Sequence, residues 1–329
     1  MSIDLGHLSF TEMIQLQLKL GETLKARFGK QLCLTFTDVV GSTPYFARFG
    51  DAAGRGLQQR HLDLWSRALA ETGGGEGRIV DTAGDGAFSV FPTVDSAATA
   101  LVAMGMSVSA QNVGYAREHQ LIIRAGVHCG SVLTDGQAVS GDAVNVAARI
   151  AGTSQPGEIR LSEVAFRELN PQRRLQCHGV GMVPLKGVTE PIQLMVLEWR
   201  DKSRFASRVK VAESGEEIAL PVLDTITFGR LRDQAGVPAN DVVLQMRDKE
   251  KGLRVSRWHF ELRRRPDGFS IRSVTDQTTD VDGKALGRGQ ETELSPTAKV
   301  TLAGVMTLEF QPELAKATEL DSAPTGYIK

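Results

Sequence analysis

Two aspartates carry the first chemical signal in this chain. Asp38 ends the alternating run L-C-L-T-F-T-D, and Asp85 sits in the turn of I-V-D-T-A-G-D-G-A-F-S-V-F. If both runs are neighbouring strands of one sheet, their ends bring the acids together. Bare carboxylates about 4 Å apart repel by roughly 4 kcal/mol at an effective dielectric near 20, so the pair needs a cation or a shared proton. A hard divalent ion held by both acids and by phosphate oxygens of a substrate meets that need, magnesium being the usual choice. Residues 39–43, V-V-G-S-T, are small and glycine-bearing, suited to offering backbone N–H groups to a phosphate at a helix start. Either aspartate alone would read as a turn residue.

A third signal lies in G-D-A-V-N-V-A-A-R-I. Asn145 and Arg149 are four residues apart and share one face of a helix. Arg149 offers a fork of donors matched to phosphate, and Asn145 can orient a ribose or phosphate oxygen. Arg124, near the start of I-I-R-A-G-V-H-C-G, is a further candidate triphosphate ligand. In isolation such a polar pair is a solvated helix face.

The elements that must position these groups alternate along the first 200 residues. Residues 8–28 predict a helix, with Ser9 and Glu12 at capping-box spacing and Phe10, Ile14, Leu18 and Leu24 on one face. That face is read as packing on its own domain; a dimerising or signal-relaying helix is the alternative. A strand through Leu32, Leu34 and Phe36 ends at Asp38, and a helical stretch runs to about Thr72, where T-G-G-G-E-G breaks it. A hairpin follows over 78–82 and 87–91, then a helix from Asp95 to about Glu118, a strand, the Asn145 helix, and short strands up to Trp199. Strands separated by helices predict an α/β or α+β domain. D-K-S-R then reads as a linker. From about Arg204 to Pro312, short strands between Gly, Asp and Pro clusters predict a β-sandwich, with a frayed tail beyond.

A length of 329 residues fits two domains. A formal charge of −1 gives no global attraction to nucleic acid or anionic membrane. No apolar run approaches the roughly 20 residues of a membrane span, and the N-terminus is not signal-like. Cys33, Cys129 and Cys177 are odd in number and lack C-x-x-C spacing, which points to neither a disulfide scaffold nor a zinc site. The chain reads as cytoplasmic, with buried thiols.

Taken in order, F-T-D-V-V-G-S-T, T-A-G-D-G, I-R-A-G-V-H-C-G, G-D-A-V-N-V-A-A-R, P-G-E-I-R-L-S and L-K-G-V-T-E-P resemble the catalytic domain of class III adenylyl/guanylyl (nucleotidyl) cyclases. The resemblance implies an α+β ferredoxin-like domain over residues 30–200, behind an N-terminal helix at 1–29, dimerising head to tail with substrate at the interface. It implies that Asp38, Asp85 and the Val39 backbone hold two Mg2+ or Mn2+ ions. Gly41, Ser42 and Thr43 would contact the triphosphate, Arg124 the leaving pyrophosphate, and Lys186 would be a weaker phosphate ligand. Asn145 and Arg149 would reach in from the partner chain. The activity implied is conversion of ATP or GTP to the 3′,5′-cyclic monophosphate and pyrophosphate.

The base site departs from the family pattern. Adenylyl cyclases usually place a lysine where this chain has Asp81 and an aspartate where it has Ala138. An acid facing adenine N1 sets acceptor against acceptor, and an unpaired buried polar group costs about 1–3 kcal/mol. Guanine presents N1–H and an amino group there, and guanylyl cyclases use a glutamate at the Asp81 position. GTP is therefore favoured by a small margin. ATP use, a loose or water-bridged site, and a weak or silent signalling scaffold remain alternatives. Ser140 is a further candidate contact for guanine O6.

T-F-G-R, N-D-V-V-L and V-S-R-W-H-F-E-L followed by V-D-G resemble a forkhead-associated (FHA) domain at 205–312, after a linker at 201–204 and before a flexible tail at 313–329. Arg230 and Ser256 can hold a phosphate, and the resemblance adds Arg257 and Gln277 as peptide contacts. His259 is expected to support the loop. The implied partner is a phosphothreonine-containing protein, such as a Ser/Thr kinase substrate. Gln277 and Asp282 stand where asparagines are usual, and Asp282 is expected to put negative charge near the peptide. The arginine run at 263–265 is too short, and too close to a P-D-G turn, to predict nucleic-acid binding.

Overall fold

A computed structural model of the chain describes residues 8–72, 77–221, 223–234 and 236–312. The predicted tail at 313–329 lies outside the described residues. The chain divides into two compact units, Met1–Arg200 and Asp201–Lys329.

The first unit begins with α1 (Phe10–Phe28), β1 (Gly29–Val39), α2 (Ser42–Glu71) and the hairpin β2 (Arg78–Ala83) and β3 (Gly86–Phe91). It continues through α3 (Val94–Asn112), β4 (Ile123–Thr134), β5 (Val139–Ser140) and α4 (Asp142–Thr153). The remaining elements are β6 (Ile159–Ser162), α5 (Glu163–Glu168), α6 (Pro171–Arg174), β7 (Cys177–Val183) and β8 (Ile192–Leu197). The main sheet has the order β2-β3-β1-β4-β6-β8-β7, with β5 on β4. Its first four strands, in the sequence β-α-β-β-α-β, have the ferredoxin-like arrangement.

Central β1 is buried on both faces. Cys33 packs with Trp65, Leu101 and Met104 in the core under α2 and α3, whereas Leu34 packs with Phe88, Val132 and Ala147 under α4. The glycines of A-G-V-H-C-G explain how α4 comes so close. A Cβ at Gly126 would lie 2.2 Å from the Ala151 nitrogen, and one at Gly130 would lie 2.7 Å from the Ala143 Cβ. Small residues on both elements let the helix sit directly on β4.

Two expectations about this unit change, and the buried thiols take a specific place. The helix after Asp95 ends at Asn112, not near Glu118, because the buried Asn112 amide turns to the incoming strand: its Nδ2 donates to the Leu121 carbonyl at 2.7 Å and its Oδ1 accepts from Leu121 N at 2.8 Å. α1 forms with its capping box complete, but none of its residues is buried. The expected packing of its apolar face on its own domain is thus corrected. The periodicity marked a face, and nothing among the described residues buries it. Cys33 and Cys129 prove to be cross-strand partners, both free and buried. The Cys129 thiol and burial push the Cys33 thiol well above its ordinary range.

The second unit is a β-sandwich. One sheet runs β10 (Glu217–Ala219), β9 (Ala206–Val211), β21 (Met306–Pro312), β20 (Lys299–Leu302), β17 (Thr279–Val281) and β18 (Lys284–Leu286). The other runs β14 (Val242–Val243), β11 (Thr225–Gly229), β15 (Phe260–Arg265), β16 (Gly268–Ser273) and β19 (Glu291–Leu294), beside a small β12 (Asp233–Gln234) and β13 (Val237–Pro238) hairpin. Phe228, Phe260 and Phe310 lie in the core between the sheets. One short helix, α7 (Lys249–Arg254), capped by Asp248, was not expected; six residues are too few to show a period. The arginine run is committed internally. Arg263 pairs with Glu261 and Glu291, Arg265 pairs with Glu291, and buried Arg264 lies over the Phe205 and Phe269 rings.

Candidate active site and phosphate-reading loops

The register of β1 decides where the acids fall. Thr37 pairs with Ala87 on β3 and Asp38 pairs with Arg124 on β4. Asp38 and the Asp85 turn therefore share one end of the sheet, at the start of α2. Gly41 caps that helix in a left-handed conformation, φ 74°, with no side-chain cap on its first N–H groups. Asp38 already has a cation against it. Arg124 Nε and Nη2 donate to Asp38 Oδ2 at 2.8 and 2.5 Å, and Nη1 reaches the Gly152 carbonyl at 3.3 Å. In this state Arg124 compensates the acid and is not free for phosphate. Two half-buried carboxylates beside a helix N-terminus form a hard oxygen set that fits a divalent ion. No group of three or more metal-ligating side chains occurs among the described residues, so the remaining ligands would have to be the Val39 backbone and substrate oxygens.

Asn145 is exposed and Arg149 half-buried on the outer face of α4, whose inner face buries Ala143, Val146, Ala147 and Ile150. The L-K-G turn lies beside Arg149. Leu185 anchors it and Lys186 is exposed. Gly187, at φ 71°, is so close that a Cβ there would lie 3.2 Å from the Arg149 guanidinium. No described residue forms an ion pair or hydrogen bond with Arg149, so its donors are left for a ligand.

Asp81 and Ala138 are both exposed. Asp81 follows an irregularity in the β2–β3 register, and its Oδ1 accepts from Thr82 N at 2.8 Å. The Ala138 loop is tied by Asp135, whose Oδ1 accepts from Gln137 N and Ala138 N at 2.8 and 2.9 Å. Those two bonds lower the Asp135 pKa and commit that oxygen to its own turn.

His61 escaped the reading of the sequence. It occupies the buried face of α2 with Leu57, Leu64, Trp65 and Ala68, and its Nε2 lies 3.0 Å from Thr37 Oγ1, one residue before Asp38. Burial lowers its pKa to about 4, against an opposing pull from Asp85, so the ring is neutral near pH 7. The available signal was a histidine within the 3.6-residue apolar period of α2.

In the second unit the phosphate-reading candidates sit on adjoining loops. Arg230 N donates to the Ser256 carbonyl at 3.0 Å, and Asn240 Nδ2 bridges the Leu231 and Arg257 carbonyls at 2.8 Å each. Gly229 is required there, since a Cβ would lie 2.1 Å from the Arg257 carbonyl. Arg230 Nε is buried without a hydrogen-bond partner, and Ser256 Oγ lies 2.6 Å from Thr275 Oγ1. Arg257 and Gln277 are exposed. Asp282, expected to put negative charge near the peptide, is exposed and also has a conformational role. At φ 51° it forms the hairpin turn, and its Oδ1 accepts from Lys299 N at 2.7 Å. Aspartate and asparagine both tolerate that conformation.

His259 supports the loop by accepting from Ser256 N at its Nδ1, 3.1 Å away. Burial lowers its pKa to about 4, opposed by the Thr278 backbone. The unfolded chain takes up a proton below about pH 6.5 while the folded site resists until about pH 4, so this unit loses stability as pH falls through that window. The loss should reach roughly 2 kcal/mol at pH 5. His259 is the only histidine, and Trp258 the only tryptophan, in residues 201–329. Denaturant midpoints followed by Trp258 fluorescence should therefore drop between pH 7 and pH 5. A midpoint independent of pH there would refute a neutral, buried His259.

Comparisons agree with these two units. The family model described as Adenylate and Guanylate cyclase catalytic domain matches residues 24–198, more than half of the chain, and the FHA domain model matches 226–303. A curated relative from Rhizobium meliloti (strain 1021), named "Putative adenylate cyclase 3", is 22% identical over 156 residues, 47% of this chain. The match spans only 27% of that relative's length. Among solved structures, an adenylate/guanylate cyclase/hydrolase from Silicibacter pomeroyi is 25% identical, with 51% of this chain and 96% of that chain covered and a TM-score of 0.43. The adenylyl cyclase CyaB from P. aeruginosa is 24% identical, with 51% and 94% covered and a TM-score of 0.42. Among the described residues no helix is long and apolar enough to cross a membrane. The chain belongs to the adenylate and guanylate cyclase catalytic domain family and carries a C-terminal FHA domain.

Proposed function

We propose that the chain is a homodimeric nucleotidyl cyclase that converts a nucleoside triphosphate, GTP in preference to ATP by a small margin, to its 3′,5′-cyclic monophosphate and pyrophosphate. The observation that carries this reading is the β1 register, which brings Asp38 and Asp85 to one sheet end beside the Gly41 helix start. Asp38, Asp85 and the Val39 backbone are the groups that would hold two magnesium or manganese ions. Bound there, the ions would supply charge that lowers the pKa of the ribose 3′-hydroxyl and neutralises the triphosphate.

The chain's own residues do the rest by positioning and charge. N–H groups at Gly41, Ser42 and Thr43 receive phosphate oxygens. Arg149 and Asn145 from the second chain stabilise the in-line attack of the 3′-oxygen on the α-phosphorus as the bond to the β-phosphate breaks. Arg124, which donates to the Asp38 carboxylate in this structure, would turn from it to the leaving pyrophosphate, and Lys186 would add a weaker contact. Asp81 reads the base through Oδ2, since Oδ1 accepts from the neighbouring Thr82 N. A single accepting oxygen suits guanine N1–H or its amino group but not both at full strength, which accounts for the small margin. The FHA unit binds a phosphothreonine-containing protein through Arg230 and Ser256, with Arg257 and Gln277 alongside; the unpaired Arg230 Nε supports that role. Asp81 and Ala138 also support a second reading, a silent scaffold that binds nucleotide and phosphoprotein.

Product formation from ATP and from GTP, each with magnesium and with manganese, tests the reading. Cyclic GMP as the main product supports Asp81 as a guanine reader. Cyclic AMP as the main product removes that role. Nucleotide binding without turnover, in a protein shown to be dimeric, favours the scaffold.

A further inference from the structure

The N–H groups at Gly41, Ser42 and Thr43 belong to a part of α2 that is held separately from its packed body. Gly50, at φ 81° and ψ 171°, breaks the helical path, and the buried residues of α2, from Gly54 to Ala68, all lie beyond it. Between Ser42 and Phe49 no residue is buried. A glycine at positive φ inside a helix makes a joint, so the front piece needs its own support.

That support is a cluster centred on His119. Tyr45 Oη lies 2.9 Å from His119 Nδ1. The His119 ring centroid is 4.8 Å from that of Phe49 and 5.9 Å, edge-on, from that of Tyr45. His119 is in turn fixed from the rear of α2. Arg60 Nη2 donates to the His119 carbonyl at 2.7 Å, while the guanidinium covers the Tyr115 ring at 3.9 Å. Phe46 folds back across the joint onto Gly54, where a Cβ would lie 2.4 Å from its ring. Tyr45 N donates to the Gly41 carbonyl at 3.1 Å, so the cluster acts one turn from the phosphate-receiving groups.

We propose that His119 is a positioning residue for triphosphate binding: it clamps Tyr45 and Phe49 so that the N–H groups at 41–43 form a fixed set of donors. The inference rests on the phosphate role of 41–43 in the proposed function and adds the group that orients them. Donors fixed in advance need no ordering when the ligand arrives, so the clamp acts on affinity and not on the bond-making step.

The test compares the full-length unaltered chain with Tyr45→Phe, His119→Ala and His119→Asn. Calorimetry measures binding of inorganic tripolyphosphate with magnesium, a probe with neither base nor turnover. Steady-state kinetics gives kcat and KM for whichever of GTP and ATP the unaltered chain converts, and thermal unfolding checks that each variant is folded. Tyr45→Phe keeps the ring and loses one hydrogen bond, so tripolyphosphate affinity should weaken about fivefold and KM rise to match. In His119→Ala both should change at least about tenfold, with kcat within about threefold of the unaltered value. His119→Asn keeps a hydrogen-bonding atom near the place of Nδ1 and should return affinity to within about threefold. Unchanged affinity and KM in His119→Ala, or a loss confined to kcat, overturns the clamp and leaves the cyclase reading standing. No tripolyphosphate binding by the unaltered chain overturns the phosphate role of 41–43 and the clamp with it.

Discussion

Alanine at Asp38 or at Asp85 should lower kcat by roughly a thousandfold or more while the protein remains folded. Each substitution removes half of the Asp38–Asp85 pair, and no group of three or more metal-ligating side chains among the described residues stands ready to replace it. The two differ in their side effects. Asp38→Ala also strips Arg124 of its partner, leaving a guanidinium about one-third exposed. Half-exposed pairs contribute little to stability, so its Tm should shift by only a few degrees. Steady-state kinetics beside thermal unfolding checks both statements. Retention of a tenth of the activity in either variant would remove the carboxylate pair from the mechanism.

Arg149→Ala should reduce kcat by about 10²- to 10³-fold with little change in KM or Tm, because in the proposed mechanism its guanidinium acts on charge that develops in the transition state. The structural ground is that Arg149 has no described hydrogen-bond or ion-pair partner to lose, so removing it leaves no orphaned group behind. Lysine at 149 should not rescue, since an ammonium lacks the two-pronged geometry. A raised KM with unchanged kcat would make Arg149 a binding residue and nothing more.

What could be read from the sequence follows the range over which each signal acts. The β1 alternation, the Ser9–Glu12 cap and the α4 face are local patterns, and they reappear as a strand, a cap and a helix with one outer polar face. The glycines of A-G-V-H-C-G were legible as motif members, but their physical reason, contact with Ala143 and Ala151, needed the packed helix. The Arg124–Asp38 bond spans 86 positions and depends on register, which no local period specifies. His61 hid because a neutral histidine in an apolar period looks like core. α1 shows the complementary gap: periodicity says which face is apolar and is silent on what covers it. At Asp282 the departure from a motif was legible as charge, while its backbone conformation and its bond to Lys299 N, which make it a turn residue, were not.

The central claim is that each site is composite, with acids from one chain and Asn145 and Arg149 from the other. The most direct measurement pairs differently tagged Asp38→Ala and Arg149→Ala chains, co-expressed and purified as the mixed dimer. One of its two sites then has every group intact and the other lacks both. The account predicts two inactive homodimers and a mixed dimer with about half the activity of the unaltered dimer. A mixed dimer as inactive as its parents would contradict it.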